Sequence, residues 1–439
     1  MTATRRIVVV ALAALCGLAP FAAADGGSTA ADHPDIPALY KAPPVVELVT
    51  MGVGALIWER HGHIAICVTE HGVAEAEHDR YGDPAANRCY NYGVGDFSHA
   101  VAMGWGFFRG SDSFWVAKQT PRELLAVYRH ADRTIWTQPL PLTPAQKQNV
   151  IAKLDDDILE DHKYYAYDHF ADNCTTRVRD VLDHATDGAL SQMTETTDGR
   201  TFRDLARDGF YGMRIPLLIT DMAMGRSTDR TPSYWERMFL PQYLREAVAK
   251  RWGITAIPIY QRKGPPQETD GPSGRVLFAL LALGLTAPAW LTWRWGRFQR
   301  AGLAIAIGPP VLFGLVFWLL AIVSPLPYVR WNESCLVFMP FDVLLLGGLS
   351  PARQQLYARG RVIMLALVAL LDVIGVLHQP LLAPILWPLI PALVVGFLPA
   401  RAPVVPGVVT PGAPAPPPSA AAKANARAKA GSKAKRRKR

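Results

Sequence analysis

Residues 164–177 read YYAYDHFADNCTTR and place one cysteine, Cys174, at the predicted start of a helix. Asp172 and Asn173 before it are good capping residues, and apolar residues follow at helical spacing at Val178, Val181, Leu182 and Ala185. The positive end of the helix dipole favours a thiolate in the first turn, and the unpaired amides of that turn are suited to hold an oxyanion. The segment predicts either a nucleophilic cysteine or a small buried residue.

The N-terminal segment has the pattern of a secretory signal. Arg5 and Arg6 precede an apolar run over 7–18, and an A-x-A cleavage site ends at Ala24. We therefore expect residues 1–24 to be a signal peptide and the domain over 25–263 to be exported.

The net charge of +9 is confined to the C-terminal end. Nine of the 46 Lys and Arg residues lie within 423–439 without an acidic residue among them, and the other 37 balance the 37 acidic residues. Residues 400–439 are rich in Pro and Ala and then basic, a composition that predicts a disordered tail. Neither the exported domain nor the membrane region needs an anionic partner such as nucleic acid.

The exported domain reads as α+β, with strands first and helices later. Strands are predicted over 45–50, 55–58, 63–69 and 89–92, and the Thr143-Pro144 pair begins a helix that leads on to the Cys174 helix. Cys67 and Cys89 fall on two candidate neighbouring strands and could form a disulfide in an oxidising compartment. Residues 264–274 hold three prolines and two acidic residues and predict a linker.

Beyond the linker, residues 275–399 are predicted to form an α-helical transmembrane bundle of about five spans. The apolar runs cover 276–293, 303–323, 336–349, 362–377 and 381–398. The third and fifth are short or interrupted by proline, so either could be re-entrant. Arg-rich loops alternate with Arg-poor ones, so the positive-inside rule predicts a periplasmic domain and a cytoplasmic tail. Within the spans, Asp342 and Asp372 are either functional groups or helix-to-helix hydrogen-bond partners.

A cysteine nucleophile needs a base, and the residues leave three histidines as candidates. His63 opens an apolar strand, His61 lies two residues earlier, and His169 is close to Cys174 in sequence. Asp96 is the candidate to orient the imidazole, although an aspartate after Gly95 is equally a turn residue. The histidines at 61 and 63, two residues apart, and those at 71, 78 and 99 also permit a metal site. No H-E-x-x-H or paired C-x-x-C motif accompanies them, so no metal and no cofactor is predicted.

Several separated motifs, taken in order, resemble the periplasmic domain of the Lnb-type lipoprotein N-acyltransferases. The motifs are Gly62-His63, Tyr90-Asn91-Tyr92-Gly93 with Asp96-Phe97, Phe108-Arg109-Gly110, and Tyr167-Asp168-His169-Phe170 with Asp172-Asn173-Cys174-Thr175-Thr176-Arg177 and Asp180. The resemblance covers roughly residues 45–185, and the stretch 332–340 is similar to a segment between spans in the same family. Gly95 departs from the family pattern, in which a bulkier residue precedes Asp-Phe.

This resemblance implies a membrane-bound cysteine acyltransferase with a Cys174–His63 pair. The order of a histidine strand before a cysteine helix is similar to the permuted papain-like fold of lecithin:retinol acyltransferase relatives. Phospholipid and lipoprotein are the implied substrates, and the implied location is the bacterial inner membrane with the catalytic domain in the periplasm. Asn173, Arg109 and Asn332, which lie in the family-like stretches, are expected to bind substrate. An envelope cysteine amidase or peptidase and a non-enzymatic assembly or transport protein are the alternatives.

Overall fold

The computed structural model describes residues 35–70, 87–96, 98–195, 198–268, 271 and 274–399. The expected signal peptide and basic tail lie outside these residues. The described chain forms two compact units. The sheet unit comprises 35–220, 224–271 and Ile322–Trp331, and the helical unit comprises Asp221–Ala223, 274–321 and 332–399. The boundary after Gly271 falls inside the predicted linker, whereas Ile322–Trp331, from the predicted membrane region, belongs to the sheet unit.

The sheet unit is a mixed α/β structure built on one antiparallel sheet. Its strands are β1 (Val45–Met51), β2 (His63–Thr69), β3 (Asn87–Val94), β4 (Ser113–Gln119), β5 (Ile135–Pro139), β6 (Tyr164–Ala166) and β7 (Ile257–Tyr260), in the order β6-β4-β3-β2-β1-β5-β7. The helices are α1 (Ile36–Tyr40), α2 (Ala100–Arg109), α3 (Pro121–His130), α4 (Pro144–Asp157), α5 (Cys174–Ala185), α6 (Phe202–Asp208), α7 (Arg214–Ala223), α8 (Tyr234–Arg237) and α9 (Pro241–Trp252). The last three residues of α7 belong to the helical unit.

Most predicted elements of the sheet unit are found, with one exception. Residues 55–58 do not form a strand, because a short 3-10 helix covers Ile57–Glu59. The Glu59 carbonyl accepts the Gly54 amide at 3.0 Å, and the Glu59 carboxylate accepts the Leu56 amide at 3.1 Å. These local hydrogen bonds close a turn, whereas the apolar residues alone had indicated a strand.

The two faces of the central strands pack into different cores. Ile64 and Ile66 of β2 join Val178 and Leu182 of α5 in the larger core, so α5 lies on that face of the sheet. Ala65 and Cys67, which alternate with them, pack with Leu124 of α3 on the other face. On that second face Cys67 and Cys89 are directly opposite in register and form the predicted disulfide.

The helices of the helical unit are α10 (Gly274–Trp295), α11 (Gln299–Val323), α13 (Ser334–Val337), α14 (Pro351–Val373) and α15 (Leu382–Phe397). The last two residues of α11 and all of α12 (Pro327–Arg330) belong to the sheet unit. Among the described residues, two helices, α10 and α11, have the length and hydropathy of a membrane span. The predicted third span is not a continuous helix: α13 ends at Val337 and a 3-10 helix covers Pro340–Leu345. Pro340 lacks an amide hydrogen and holds Met339 in an extended conformation, which interrupts the helix. A bundle of five spans stays a prediction.

Asp342 of the helical unit is fully buried and paired. Arg361 Nε and Nη2 donate to its two carboxylate oxygens at 2.6 and 2.8 Å, and the Tyr357 hydroxyl donates at 2.9 Å. Of the two sequence interpretations of Asp342, this ion pair favours the structural one.

Candidate active site

Cys174 is the first residue of α5 and is half-buried. Asn173 is the N-cap, and its Oδ1 accepts the amides of Thr175 at 2.7 Å and Thr176 at 3.0 Å. Its Nδ2 donates to the carbonyls of His169 at 2.6 Å and Phe239 at 3.0 Å. The cap therefore fixes where the helix begins and holds Cys174 against the sheet.

His63 is the first residue of β2, so its imidazole projects from the end of a rigid strand. Its Nε2 lies 2.5 Å from Asn91 Oδ1 on the neighbouring strand β3. The imidazole stacks on the Tyr128 ring with centroids 5.8 Å apart. Because Asn91 accepts the Nε2 proton, Nδ1 is the nitrogen that can receive a proton from a thiol.

Cys174 and His63 both lie close to Gly93. A β-carbon placed on Gly93 would lie 3.1 Å from Cys174 Cβ and 3.7 Å from His63 Cε1. The residue has φ +82°, and the pairing of β3 with β4 changes register between Asn91 and Val94. A side chain here would press on Cys174 and lie in van der Waals contact with His63, so the irregular strand and the glycine together leave room for both side chains.

Burial governs the ionisation of both groups. Removal from water lowers the pKa of His63 to about 4, the Asn91 hydrogen bond opposes this shift, and the Arg133 charge adds to it. Burial raises the pKa of the Cys174 thiol, and this outweighs the lowering by the Thr175 hydroxyl, the Thr175 and Ile64 amides and Arg133. The Thr175 amide of the first turn favours the thiolate as expected, but burial outweighs it, and the net shift of the Cys174 pKa is upward. Neutral thiol beside neutral imidazole is the resting form at neutral pH.

Asp96 does not take the orienting position predicted for it. Its exposed carboxylate accepts the Ser98 amide at 2.9 Å, and this interaction with Ser98 lowers its pKa. Asn91 contacts the imidazole instead. The difference arises because Asp96 follows the end of β3 and closes a turn, the alternative that an aspartate after glycine also indicated.

The three residues assigned to substrate binding have other surroundings. Asn173 Oδ1 caps α5 and its Nδ2 donates to the His169 and Phe239 carbonyls, so Asn173 positions Cys174. Arg109 is exposed in the last turn of α2. In the helical unit, Asn332 Nδ2 donates to the Met222 carbonyl at 2.9 Å, and its Oδ1 accepts from the Ser334 amide and from Gln379 Nε2.

The rival histidines lie together in an aromatic cluster. His61 Nε2 lies 2.9 Å from the Ala206 carbonyl, and the His61 ring contacts the His169 ring edge-on at 4.8 Å. Burial lowers the pKa of both imidazoles. Within the described part of the chain, no three His, Cys, Asp or Glu side chains gather as metal ligands. Two histidines considered for metal binding, at 71 and 78, lie outside the described residues.

Sequence reasoning missed Asn91 as a partner of His63. Asn91 stood in a quoted motif, but its role depends on the pairing of β2 with β3, in which Ile66 lies opposite Tyr90. Continuing that register toward the ends of the strands places Asn91 and Gly93 beside His63. With the register known, the alternation of side chains along β3 could have indicated both Asn91 and Gly93.

The arrangement supports nucleophilic chemistry by a thiol. Cys174 supplies the sulfur, His63 a neutral base, and Asn91 a hydrogen bond that fixes the tautomer and orientation of the ring. A cysteine, histidine and asparagine in these roles suit acyl transfer through a thioester.

The chain also matches a known protein family. Residues 37–207 match the family described as Lnb N-terminal periplasmic domain. Searches of curated proteins and of solved structures found no match. The matched region includes Cys174, His63, Asn91 and Gly93, and it confirms the resemblance stated from the motifs.

Proposed function

Residues 37–207 form a domain of the Lnb N-terminal periplasmic family, and from this premise we propose that the chain is a membrane-bound cysteine acyltransferase. With α10 and α11 as membrane-length helices, it is a membrane protein with a periplasmic domain. In our proposal the acyl donor is a phospholipid and the acceptor is the N-terminal amine of a lipoprotein. The membrane is the bacterial inner membrane, and the periplasmic domain has a circularly permuted papain-like fold.

The convergence of Cys174 and His63 at Gly93 is the observation that carries the proposal. It joins a nucleophile at a helix start to a base at a strand start, with the histidine strand earlier in the chain than the cysteine helix. A binding module would not require a thiol, a neutral imidazole and an orienting amide in one place. Both proposed substrates hold their reacting groups at the bilayer surface, which gives membrane anchoring a purpose.

The reaction proceeds in two acyl transfers. His63 Nδ1 takes the proton of the Cys174 thiol as the sulfur attacks an ester carbonyl carbon of the phospholipid. The tetrahedral intermediate collapses, the C–O bond breaks, and the lysophospholipid oxygen receives the proton from His63. The lipoprotein amine then attacks the thioester and loses a proton to His63. The C–S bond breaks, and Cys174 regains its proton.

The proposal is tested with the full-length protein in nanodiscs that contain phospholipid with a labelled acyl chain. The acceptor is a peptide whose N-terminal cysteine carries a diacylglyceryl group. We expect an amide-linked acyl chain on the peptide with wild-type protein and with Cys335→Ala, and none with Cys174→Ala or His63→Ala. Cys335 is the other free cysteine among the described residues, which makes it the matched control.

Two outcomes would overturn the assignment. Full N-acylation by a folded Cys174→Ala variant would remove the thioester mechanism. Cleavage of the peptide by wild-type protein, dependent on Cys174 and without acyl transfer, would assign the same residues to the alternative amidase or peptidase.

A further inference from the structure

A buried tyrosine hydroxyl lies beside Gly93, close to which Cys174 and His63 also lie. Tyr165 is the middle residue of β6, and strand alternation turns its side chain inward: Tyr165 is 7% exposed, whereas Tyr164 is 51% exposed. The position of a β-carbon on Gly93, 3.1 Å from Cys174 Cβ, is 3.7 Å from Tyr165 Oη. The hydroxyl is therefore part of the site, although no motif of the sequence identified it.

This hydroxyl has no hydrogen-bond partner among the described residues. A buried hydroxyl without a partner costs on the order of 1–3 kcal/mol. The Tyr165 ring is nevertheless held in place, because the Arg177 guanidinium covers its face at 4.4 Å and Arg177 in turn donates to both oxygens of Asp172, at 2.5 and 2.8 Å. A buried hydrogen-bond donor that is held in place and has no partner, near a nucleophile, indicates a group that binds a ligand.

The first turn of α5 does not supply the oxyanion donors that its sequence indicates. Asn173 Oδ1 already accepts the amides of Thr175 and Thr176. The amide of Cys174 itself remains, and one donor is fewer than an oxyanion hole normally provides. A second donor must come from outside the helix, and Tyr165 Oη is a buried donor near Cys174 that has no partner among the described residues.

We propose that the Tyr165 hydroxyl donates a hydrogen bond to the oxyanion formed when Cys174 attacks an acyl carbonyl, which makes Tyr165 a catalytic residue. The inference rests on the proposed acyltransfer. As the C–S bond forms, the carbonyl π electrons move to oxygen, and that oxygen accepts the hydrogen bond while Tyr165 keeps its proton. When the C–O bond to the lysophospholipid breaks, the carbonyl re-forms and the hydrogen bond weakens. The same donor serves the attack of the amine on the thioester.

The surroundings keep Tyr165 in its donor form. Burial raises the pKa of the Tyr165 hydroxyl, and the nearby Cys174, Tyr167 and Asp172 raise it further against the lowering by Arg177. The hydroxyl is protonated throughout the neutral range.

The test compares two reactions of Cys174 in the full-length protein. Acylation by phospholipid forms an oxyanion, whereas alkylation by iodoacetamide displaces iodide at a saturated carbon and forms none. Loss of one oxyanion donor typically reduces the rate about 100- to 1000-fold. We expect Tyr165→Phe to slow single-turnover acylation in nanodiscs by about a hundredfold and to leave the alkylation rate within about twofold of wild type. Tyr164→Phe, the exposed neighbour, should leave both rates unchanged.

The outcomes separate this inference from the proposed function. Acylation by Tyr165→Phe at the wild-type rate, with Cys174→Ala inactive, would overturn the role of Tyr165 and leave the acyltransferase intact. Equal slowing of acylation and alkylation would assign Tyr165 to positioning Cys174 and also overturn the inference. Acyl transfer by Cys174→Ala would refute the acyltransfer mechanism, and the role of Tyr165 with it.

Discussion

His63 Nε2 lies 2.5 Å from Asn91 Oδ1, across the pair of neighbouring strands β2 and β3. The hydrogen bond leaves Nδ1 as the basic nitrogen and fixes the ring at the start of β2. The geometry makes Asn91 a positioning residue that acts through the base.

Asn91→Ala should therefore lower kcat by roughly 10- to 100-fold and change KM little. The expected loss is part of the roughly 10²- to 10⁴-fold rate increase that a general base contributes. The hydrogen bond favours the protonated imidazole, so its loss should move the His63 pKa further below about 4 and shift the acid limb of the kcat/KM profile to lower pH. Asn87→Ala, at the other end of the same strand, is the control. An unchanged pH profile and rate in Asn91→Ala would show that Asn91 does not act on His63.

The resting protonation state predicts how Cys174 responds to pH. Because burial raises the pKa of Cys174, alkylation by iodoacetamide at pH 7 should be slower than that of an exposed thiol and should increase up to alkaline pH. The rate is measured by mass spectrometry of the Cys174 peptide. A fast reaction with a plateau below pH 7 would instead indicate a preformed thiolate–imidazolium pair.

Gly93→Ala should inactivate the protein by separating Cys174 from His63. The new methyl group meets Cys174 Cβ at 3.1 Å, and φ +82° is unfavourable for alanine, so we also expect a loss of about 1–3 kcal/mol in the free energy of unfolding. Gly104→Ala in α2, where a β-carbon meets nothing within 4 Å, should keep activity and gain up to about 1 kcal/mol. Activity and thermal melting of both variants check this, and an active Gly93→Ala variant would contradict it.

The Asp342–Arg361 pair predicts a stability effect in the helical unit. Arg361→Met leaves a buried carboxylate without its cation and should cost about 3–5 kcal/mol, whereas the double variant Asp342→Leu/Arg361→Met should recover most of the loss. Thermal melting of the full-length protein in detergent distinguishes the two. A double variant as unstable as Arg361→Met would show that the loss of stability does not come from the unpaired Asp342 carboxylate.

Local signals in the sequence predicted the start of α5, the bounds of β2 and the Cys67–Cys89 pair, because caps, alternation and strand neighbours are encoded in adjacent residues. The partner of His63 was not predictable in the same way. Asn91 and Tyr165 lie in the site because of strand pairing between segments far apart in sequence, which no local sequence pattern predicts. The ionisation of Cys174 was misjudged because the helix dipole is readable from sequence, whereas the burial that outweighs it depends on packing.

A thioester between Cys174 and an acyl chain is the intermediate that the proposed mechanism requires. Full-length protein is incubated with phospholipid vesicles in the absence of an amine acceptor, and the mass of the Cys174 peptide is measured before and after hydroxylamine treatment. We expect one acyl chain on Cys174, removed by hydroxylamine and absent from Cys335, and a rate of acylation at least a hundredfold lower in His63→Ala. An unmodified Cys174 in protein that transfers acyl chains at the full rate once the acceptor is added would contradict the proposed mechanism.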